Sequence, residues 1–558
     1  MRAVSGPSAK GLTVKAIAGT YVVLIAFNCD EDYCKDLLGF GIWRTDHTDN
    51  SGRWLPGLKR FDVKDPDDVT KVTTQCNPIQ KFHWGDYTAR SGRTYTYKVV
   101  AMRGSKTALV EDDSVEVVVT CEIPDRIGKN GHSVNFNRAA AASQAFVEHF
   151  PKLPKGDVTD PAARTWLSRG LQESLTKFID DTQAGQGLHC FLYEFTKPEF
   201  ADALKRALAR GVRLEILHDG IIGNDGKGPS IDADPVVTQY GLDAVTKKRT
   251  GNGLAISHNK YMVRSDAAGT ALAVWTGSTN FTDAGVYAQT NVGHAIAAPE
   301  PAGTYLKWHA EVWADPSKSA SLSRTATHAL TQVPAKPYTG TNPILSPRTT
   351  IEAIELCAEL IGTADDIVCF TAPFALHDDL EKALIKAPAQ VYGLLNKHNV
   401  VGKAMYDAPN TLLTAAAALS DASVLESWQA KMLAESLHHS GVFIHTKLIL
   451  IDPLSDNPVT ITGSANFSHN SSCDNDENQL FIFGEPEVAD VYIGEFMRMF
   501  DHYYFRDHIK QIKAEAAANP KAAFLDETDA WTQRYFNGGE REKERLAFFK
   551  AKVLAPVG

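Results

Sequence analysis

Apolar and polar residues alternate with a two-residue period along Phe40–Arg44 (FGIWR) and Tyr95–Met102 (YTYKVVAM). That period predicts strands with one face turned inward. Leu12–Phe27 (LTVKAIAGTYVVLIAF) reads as a strand pair around a Gly-Thr turn, and turn-forming clusters fall at 49–52, 66–68 and 91–92. Residues 1–125 therefore read as all-β, in the pattern of a β-sandwich. After CEIPD (121–125) the texture changes. Asn137–Phe150 and Pro161–Ile179 read as helices, and strands then alternate with helices, the signature of an α/β layered fold.

The α/β part is an internal repeat. The strand His189–Phe195 (HCFLYEF) is echoed by Val368–Phe374 (VCFTAPF), with Cys190, Phe191 and Phe195 recurring 179 residues later as Cys369, Phe370 and Phe374. Each strand precedes a helical segment (200–211 and 377–388) and a second strand (212–219 and 390–396). The chain divides on this reading into a β-sandwich at 1–125, two halves at 126–335 and 336–515, and a helical tail at 516–558. The Pro- and Thr-rich stretch 331–350 reads as the linker between the halves.

Each half also carries the same polar constellation. SHNKYMVRSD (257–266) is followed by WTGSTNF (275–281), and IHTKLILID (444–452) by ITGSANF (461–467). In an extended strand, residues two apart share a face, so His258 lies with Lys260 and His445 with Lys447. Ser278 and Asn280, or Ser464 and Asn466, follow on the next strand end. If the halves face one another, two imidazoles, two ammonium groups and two carboxamides converge. Lysine and asparagine donors suit an anion with tetrahedral oxygens. One imidazole can attack phosphorus while the other protonates the leaving alkoxide. A lone His-x-Lys is more often structural, but two copies at nearly equal spacing from Gly-Ser-x-Asn-Phe are hard to explain by packing.

His-x-Lys-x4-Asp followed by Gly-Ser-x-Asn resembles the signature of the phospholipase D superfamily. IHTKLILID matches it fully, with His445, Lys447 and Asp452. The resemblance spans both α/β halves. It implies two such halves packed face to face, one histidine as nucleophile (assigned to His258) and the other as acid (His445), and a phosphohistidine intermediate. It implies no cofactor and no metal, since the lysines neutralise the developing charge. The first copy departs from the pattern: Ser265 stands where Asp452 stands in the second, and Asp266 follows one residue later. A one-residue bulge would restore Asp266 as the supporting acid. Glu477 and Asn291, each 11 residues beyond its motif asparagine, take the position of the family's orienting residue. Pairing within each half would give His445 a carboxylate and His258 an amide, making His445 the protonated acid. Separately, SGRTYTYKVVAM resembles the penultimate strand of fibronectin type III modules, with Tyr95 or Tyr97 as the corner tyrosine.

Weaker candidates for substrate contact are His218, Asp219, Lys397 and His398, which follow the second strand of each half, and His469 and Asn470 after the second Gly-Ser-x-Asn. The net charge is −10, with 57 basic and 67 acidic residues and no long basic run. That leans toward a phospholipid or small diester over nucleic acid. A nuclease using the same pair, and a catalytically dead binding protein, are the alternatives. No stretch reaches the roughly 18 apolar residues of a membrane span, so any membrane contact is expected to be peripheral. The eight cysteines form no CxxC pair, which argues against a zinc ribbon. Reduced thiols and a cytoplasmic location are expected. A single chain is expected to suffice for a complete site.

Overall fold

The computed structural model describes residues 1–57, 59–62, 73–139, 146, 149–151, 153, 160–223, 226, 228–416, 442–507 and 524–550. The helix expected over Asn137–Phe150 falls largely outside them, as does most of the Ala-rich stretch after Ile509.

The N-terminal region is two four-stranded antiparallel sheets closing over one core. Strands Thr13–Ala18 and Val23–Asn28 pair around the expected turn and are buried on both faces, Val14, Ala16, Val23, Ile25 and Phe27 on one and Ile17, Leu24 and Ala26 on the other. Gly39–Asp46 and Thr94–Ser105 form the centre of the facing sheet. Tyr95 makes the corner bond, its hydroxyl accepting from Arg90 N at 2.9 Å; the Tyr97 hydroxyl donates to Asp86 instead.

The α/β part contains two seven-stranded sheets of identical plan. From one edge, the first runs Thr246–Arg249, Arg213–Asp219, Gly187–Leu192, Lys260–Ser265, Ala271–Gly277, Val292–Ile296 and His132–Phe136. The second runs Thr411–Ala415, Gln390–Leu395, Ile367–Ala372, Leu448–Ile451, Val459–Gly463, Glu477–Phe483 and Gly340–Ser346. Cys190 and Cys369 occupy matching, fully buried positions. The stretch 331–350 is thus more than a linker. Its Gly340–Ser346 pairs antiparallel with Glu477–Phe483 and completes the second sheet. Its proline and threonine content hid an edge strand, where proline is tolerated.

The inner faces of both sheets share one core with the helices Pro299–Ala314 and Pro486–Asp507. Phe191, Tyr261 and Val274 of the first sheet meet Leu448, Leu450 and Leu480 of the second across Trp308, Phe496 and Phe500. The outer faces are covered separately, by helices at 161–180 and 198–209 on one side and 352–362 and 378–386 on the other. The two halves therefore pack face to face as one body.

The chain after residue 524 is no loose tail. Trp531 and Tyr535 are buried in the N-terminal core against Phe82, and Phe548 stacks on His83 at 4.3 Å. The Arg2–Asp490 pair, fully buried at 2.8 Å, ties the first strand to the helix Pro486–Asp507. All eight cysteines are free thiols. Among the described residues no helix is long and apolar enough to cross a membrane.

Candidate active site

Both His-x-Lys segments lie just ahead of, or at the start of, a central strand: Lys260 opens Lys260–Ser265, and Lys447 precedes Leu448–Ile451. Each lysine Nζ donates to the carbonyl of its own histidine at 2.7 Å, which fixes the curl of the segment. Gly277 and Gly463 end the following strands with φ +145° and +141°. A Cβ there would lie 2.2 Å from Val292 O or 2.4 Å from Asn478 O, so only glycine lets the turn pass. Phe281 and Phe467, buried, anchor the turns in the cores of their halves.

The two halves are stitched together by backbone bridges around these segments. Ser257 pairs with Asp476, and Ile444 pairs with Thr290, each bridge parallel and each joining one half to the other. The bridges set Glu477 beside His258 and Asn291 beside His445. Glu477 Oε2 lies 2.8 Å from His258 Nδ1, and Asn291 Oδ1 lies 2.9 Å from His445 Nδ1. This corrects the pairing expected within each half. The carboxylate serves the first histidine and the amide the second, because the orienting residue crosses the interface. Ser464 donates to Glu477 Oε2 at 2.8 Å and Ser278 to Asn291 Oδ1 at 2.7 Å, so each serine holds the residue that holds the opposite histidine. Behind Glu477, the buried Asp476 is held by Arg249 at 2.8 Å and by Ser257 at 3.2 Å.

The cluster is almost sealed. His258 is 6% exposed, His445 5%, and both lysines 0%. Burial, with the charges of Lys260 and Lys447, holds both imidazoles well below their ordinary range. Burial lowers Lys260 to about 7, holds Lys447 well below its ordinary range, and raises Glu477 to about 7. An anion bound beside the lysines would compensate them and favour their charged forms. Asn280 Oδ1 and Asn466 Oδ1 are buried without a hydrogen-bond partner among the described residues; a phosphoryl oxygen would call on the amide donors of these side chains, of which Asn280 Nδ2 is held by Glu194.

Two residues escaped the sequence reading. The Tyr193 ring meets His258 edge-on at 4.6 Å and lies under Lys260 Nζ at 4.7 Å. The Glu194 carboxylate accepts a hydrogen bond from Asn280 Nδ2. They follow directly on the strand Gly187–Leu192, and the second-half copy carries Ala372 and Pro373 at the matching positions, so repeat logic gave them no weight.

Other expected positions divide. Asp452, at φ +43°, accepts the backbone N–H groups of Asp365, Asp366 and Ile367 at 2.7–3.0 Å and so pins two strands together. Asp266 does no such work. The bulge is there, between Arg264 and Ser265, but the Asp266 carboxylate caps its own hairpin by accepting from Thr270 N. Asp219 lies buried beneath the site, within reach of Ser257 N at 3.4 Å, and burial lifts it to about 7. His218 is buried beside Asp219. Lys397 and His398 are exposed, with His398 bonded to Asp507, and His469 and Asn470 lie exposed at the start of a short helix. We expect Asp452→Asn to cost about 1–2 kcal/mol of stability, since it trades a charged acceptor for a neutral one. Calorimetric unfolding checks this, with turnover per folded molecule unchanged.

Comparison with protein families decides the class. The family model described as "Cardiolipin synthase, PLD-like domain" matches residues 175–313 and 357–500, together about half of the chain. The chain belongs to the phospholipase D superfamily. The two matched segments are the two halves that meet at the site. Among solved structures, this phospholipase D-like chain is similar to phosphatidylserine synthase of Haemophilus influenzae Rd KW20, at 11% identity and TM-score 0.42 over 64% of this chain and 94% of that one. It is similar to the phospholipase D family member Nuc of Salmonella typhimurium, at 27% identity and TM-score 0.21 over 26% and 86%. It is also similar to NucT of Helicobacter pylori, at 18% identity and TM-score 0.23 over 29% and 96%. No curated protein matches the chain.

Proposed function

We propose that the protein is a phosphodiesterase acting on a phospholipid through a phosphohistidine on His258, with His445 as acid. The observation that carries this is the crossed pair of orienting residues. Glu477 accepts Nδ1–H of His258, which leaves the Nε2 lone pair facing the substrate. As Nε2 bonds to phosphorus, the ring becomes cationic, and a carboxylate stabilises that cation where an amide does not. Asn291 orients His445 without deepening its basicity. Burial and the lysines keep that imidazole neutral in the free site; the charge of a bound phosphodiester favours its protonation, and the imidazolium then gives up Nε2–H readily to the leaving alkoxide. In the second step water, or an alcohol, passes a proton to His445 Nε2 and attacks phosphorus, and the P–N bond breaks. Lys260, Lys447, Asn280 and Asn466 surround the phosphoryl oxygens.

Three observations support a lipid over a nucleic acid. The net charge is −10. The Glu194 carboxylate at the site edge opposes a polyanion running through it. The matching family model describes a phospholipid synthase. The nuclease reading keeps the same catalytic pair. The test incubates the protein in chelator with mixed phosphatidylglycerol, phosphatidylethanolamine and phosphatidylcholine vesicles, and separately with single-stranded DNA. Release or exchange of a head group is the expected result. DNA cleavage without lipid turnover would overturn the lipid assignment.

A further inference from the structure

A second polar cluster lies in the first half, away from the reacting groups. His189 and Glu215 sit directly opposite each other on adjacent parallel strands, and His309 descends on them from the helix Pro299–Ala314. His189 Nδ1 is 2.8 Å from Glu215 Oε2, and His309 Nε2 is 3.3 Å from the same oxygen. Their ligand atoms all lie within 4.8 Å of one another. His309 is fully buried; its Nε2 meets only Glu215, and its Nδ1 makes no hydrogen bond among the described residues. Its ring is clamped against Trp313 and aimed at Glu215.

The fold does not require polar groups here. In the second half the matching strand pair places Val368 opposite Val391, where the first half has His189 opposite Glu215. A buried histidine with one nitrogen unbonded and the other held only by a loose contact is costly to keep without a purpose. Ligands about 2.0–2.2 Å from one tetrahedral ion lie roughly 3.3 Å apart; His309 and Glu215 stand at that separation, and His189, now 2.8 Å from Glu215, would move apart from it by a few tenths of an ångström to admit the ion. The side chains of His189 and Glu215 are 16% and 30% exposed, which leaves a path for an ion and a water.

We propose that His189, Glu215 and His309 bind one zinc-like divalent ion, with water as the fourth ligand, clamping the helix Pro299–Ala314 to the first sheet. Two imidazoles and a carboxylate are borderline ligands that suit zinc. Ser265 supplies the outer support, its Oγ 3.1 Å from His189 Nε2. With the metal on Nδ1, Nε2–H donates to that hydroxyl, which fixes the tautomer. This also explains why the first motif carries Ser265 in place of an aspartate. His189 stands four residues before Tyr193 on its strand, roughly 13 Å away, so the ion would not touch the reacting groups.

The test uses the untagged full chain, stripped with chelator and titrated with Zn²⁺ by calorimetry, with Co²⁺ absorption as a second readout. One equivalent of zinc and a raised melting temperature are expected. Glu215→Gln and His309→Gln should each weaken binding by at least roughly 100-fold, and Ser265→Ala by roughly 10-fold. His445→Ala is the control for zinc held by the active-site imidazoles and should bind as the wild type does. Glu215 is partly exposed, so its variant keeps the test decisive if the His309 variant fails to fold. Absence of zinc binding overturns the proposal, as does binding lost in His445→Ala and retained in Glu215→Gln.

Discussion

Replacing His258 or His445 with alanine should each lower turnover by roughly four orders of magnitude or more, because in the proposed mechanism each does one half of a two-step exchange and neither has a substitute nearby among the described residues. The two losses should differ in kind. His445→Ala retains the nucleophile, so a substrate with a good leaving group, such as a nitrophenyl phosphodiester, needs no acid and should still load phosphate onto His258. His258→Ala should load none with any substrate. Rapid acid-free quench with mass spectrometry of the histidine-containing peptides reads this directly. Phosphate trapped on His445 in place of His258 would reverse the order of roles.

Replacing Glu477 with glutamine should lower turnover by roughly 10³-fold, through the loss of charge stabilisation on the phosphohistidine cation. It should also reshape the pH profile. Glu477, raised to about 7 by burial, orients His258 fully only as a carboxylate. As pH falls through about 7 the carboxylate is protonated and kcat/KM declines, so the wild type should show an acid limb there, and Glu477→Gln should not. The complementary change, Asn291→Asp, places a carboxylate on the acid. It raises the His445 pKa, so the alkaline limb should move to higher pH while the maximal rate drops, because a more basic imidazole donates less readily. A profile unchanged in both variants would show that the crossed residues only fill space.

The repeat and both His-x-Lys pairs were legible because they are local. A two-residue period tells which side chains share a face, and Gly-Ser-x-Asn-Phe encodes a turn that only glycine permits and a buried phenylalanine anchors. The supporting role of Asp452 came from the resemblance to the phospholipase D superfamily, and its three backbone hydrogen bonds agree with it. The zinc-like cluster was not legible, since its three residues lie on three elements far apart in sequence and no spacing links them. Tyr193 and Glu194 were hidden for the opposite reason: they break the repeat that made everything else visible.

What the sequence determined by itself is the composition of each half, since strand period, turn chemistry and burial act over a few residues at a time. What only the tertiary structure decided is who partners whom. Spacing along the chain placed Glu477 with His445 and Asn291 with His258. The parallel bridges Ser257–Asp476 and Thr290–Ile444 exchange them. That exchange is a property of two surfaces meeting, and no periodicity within either half records it. In the proposed mechanism it is also what gives the two chemically identical imidazoles different work.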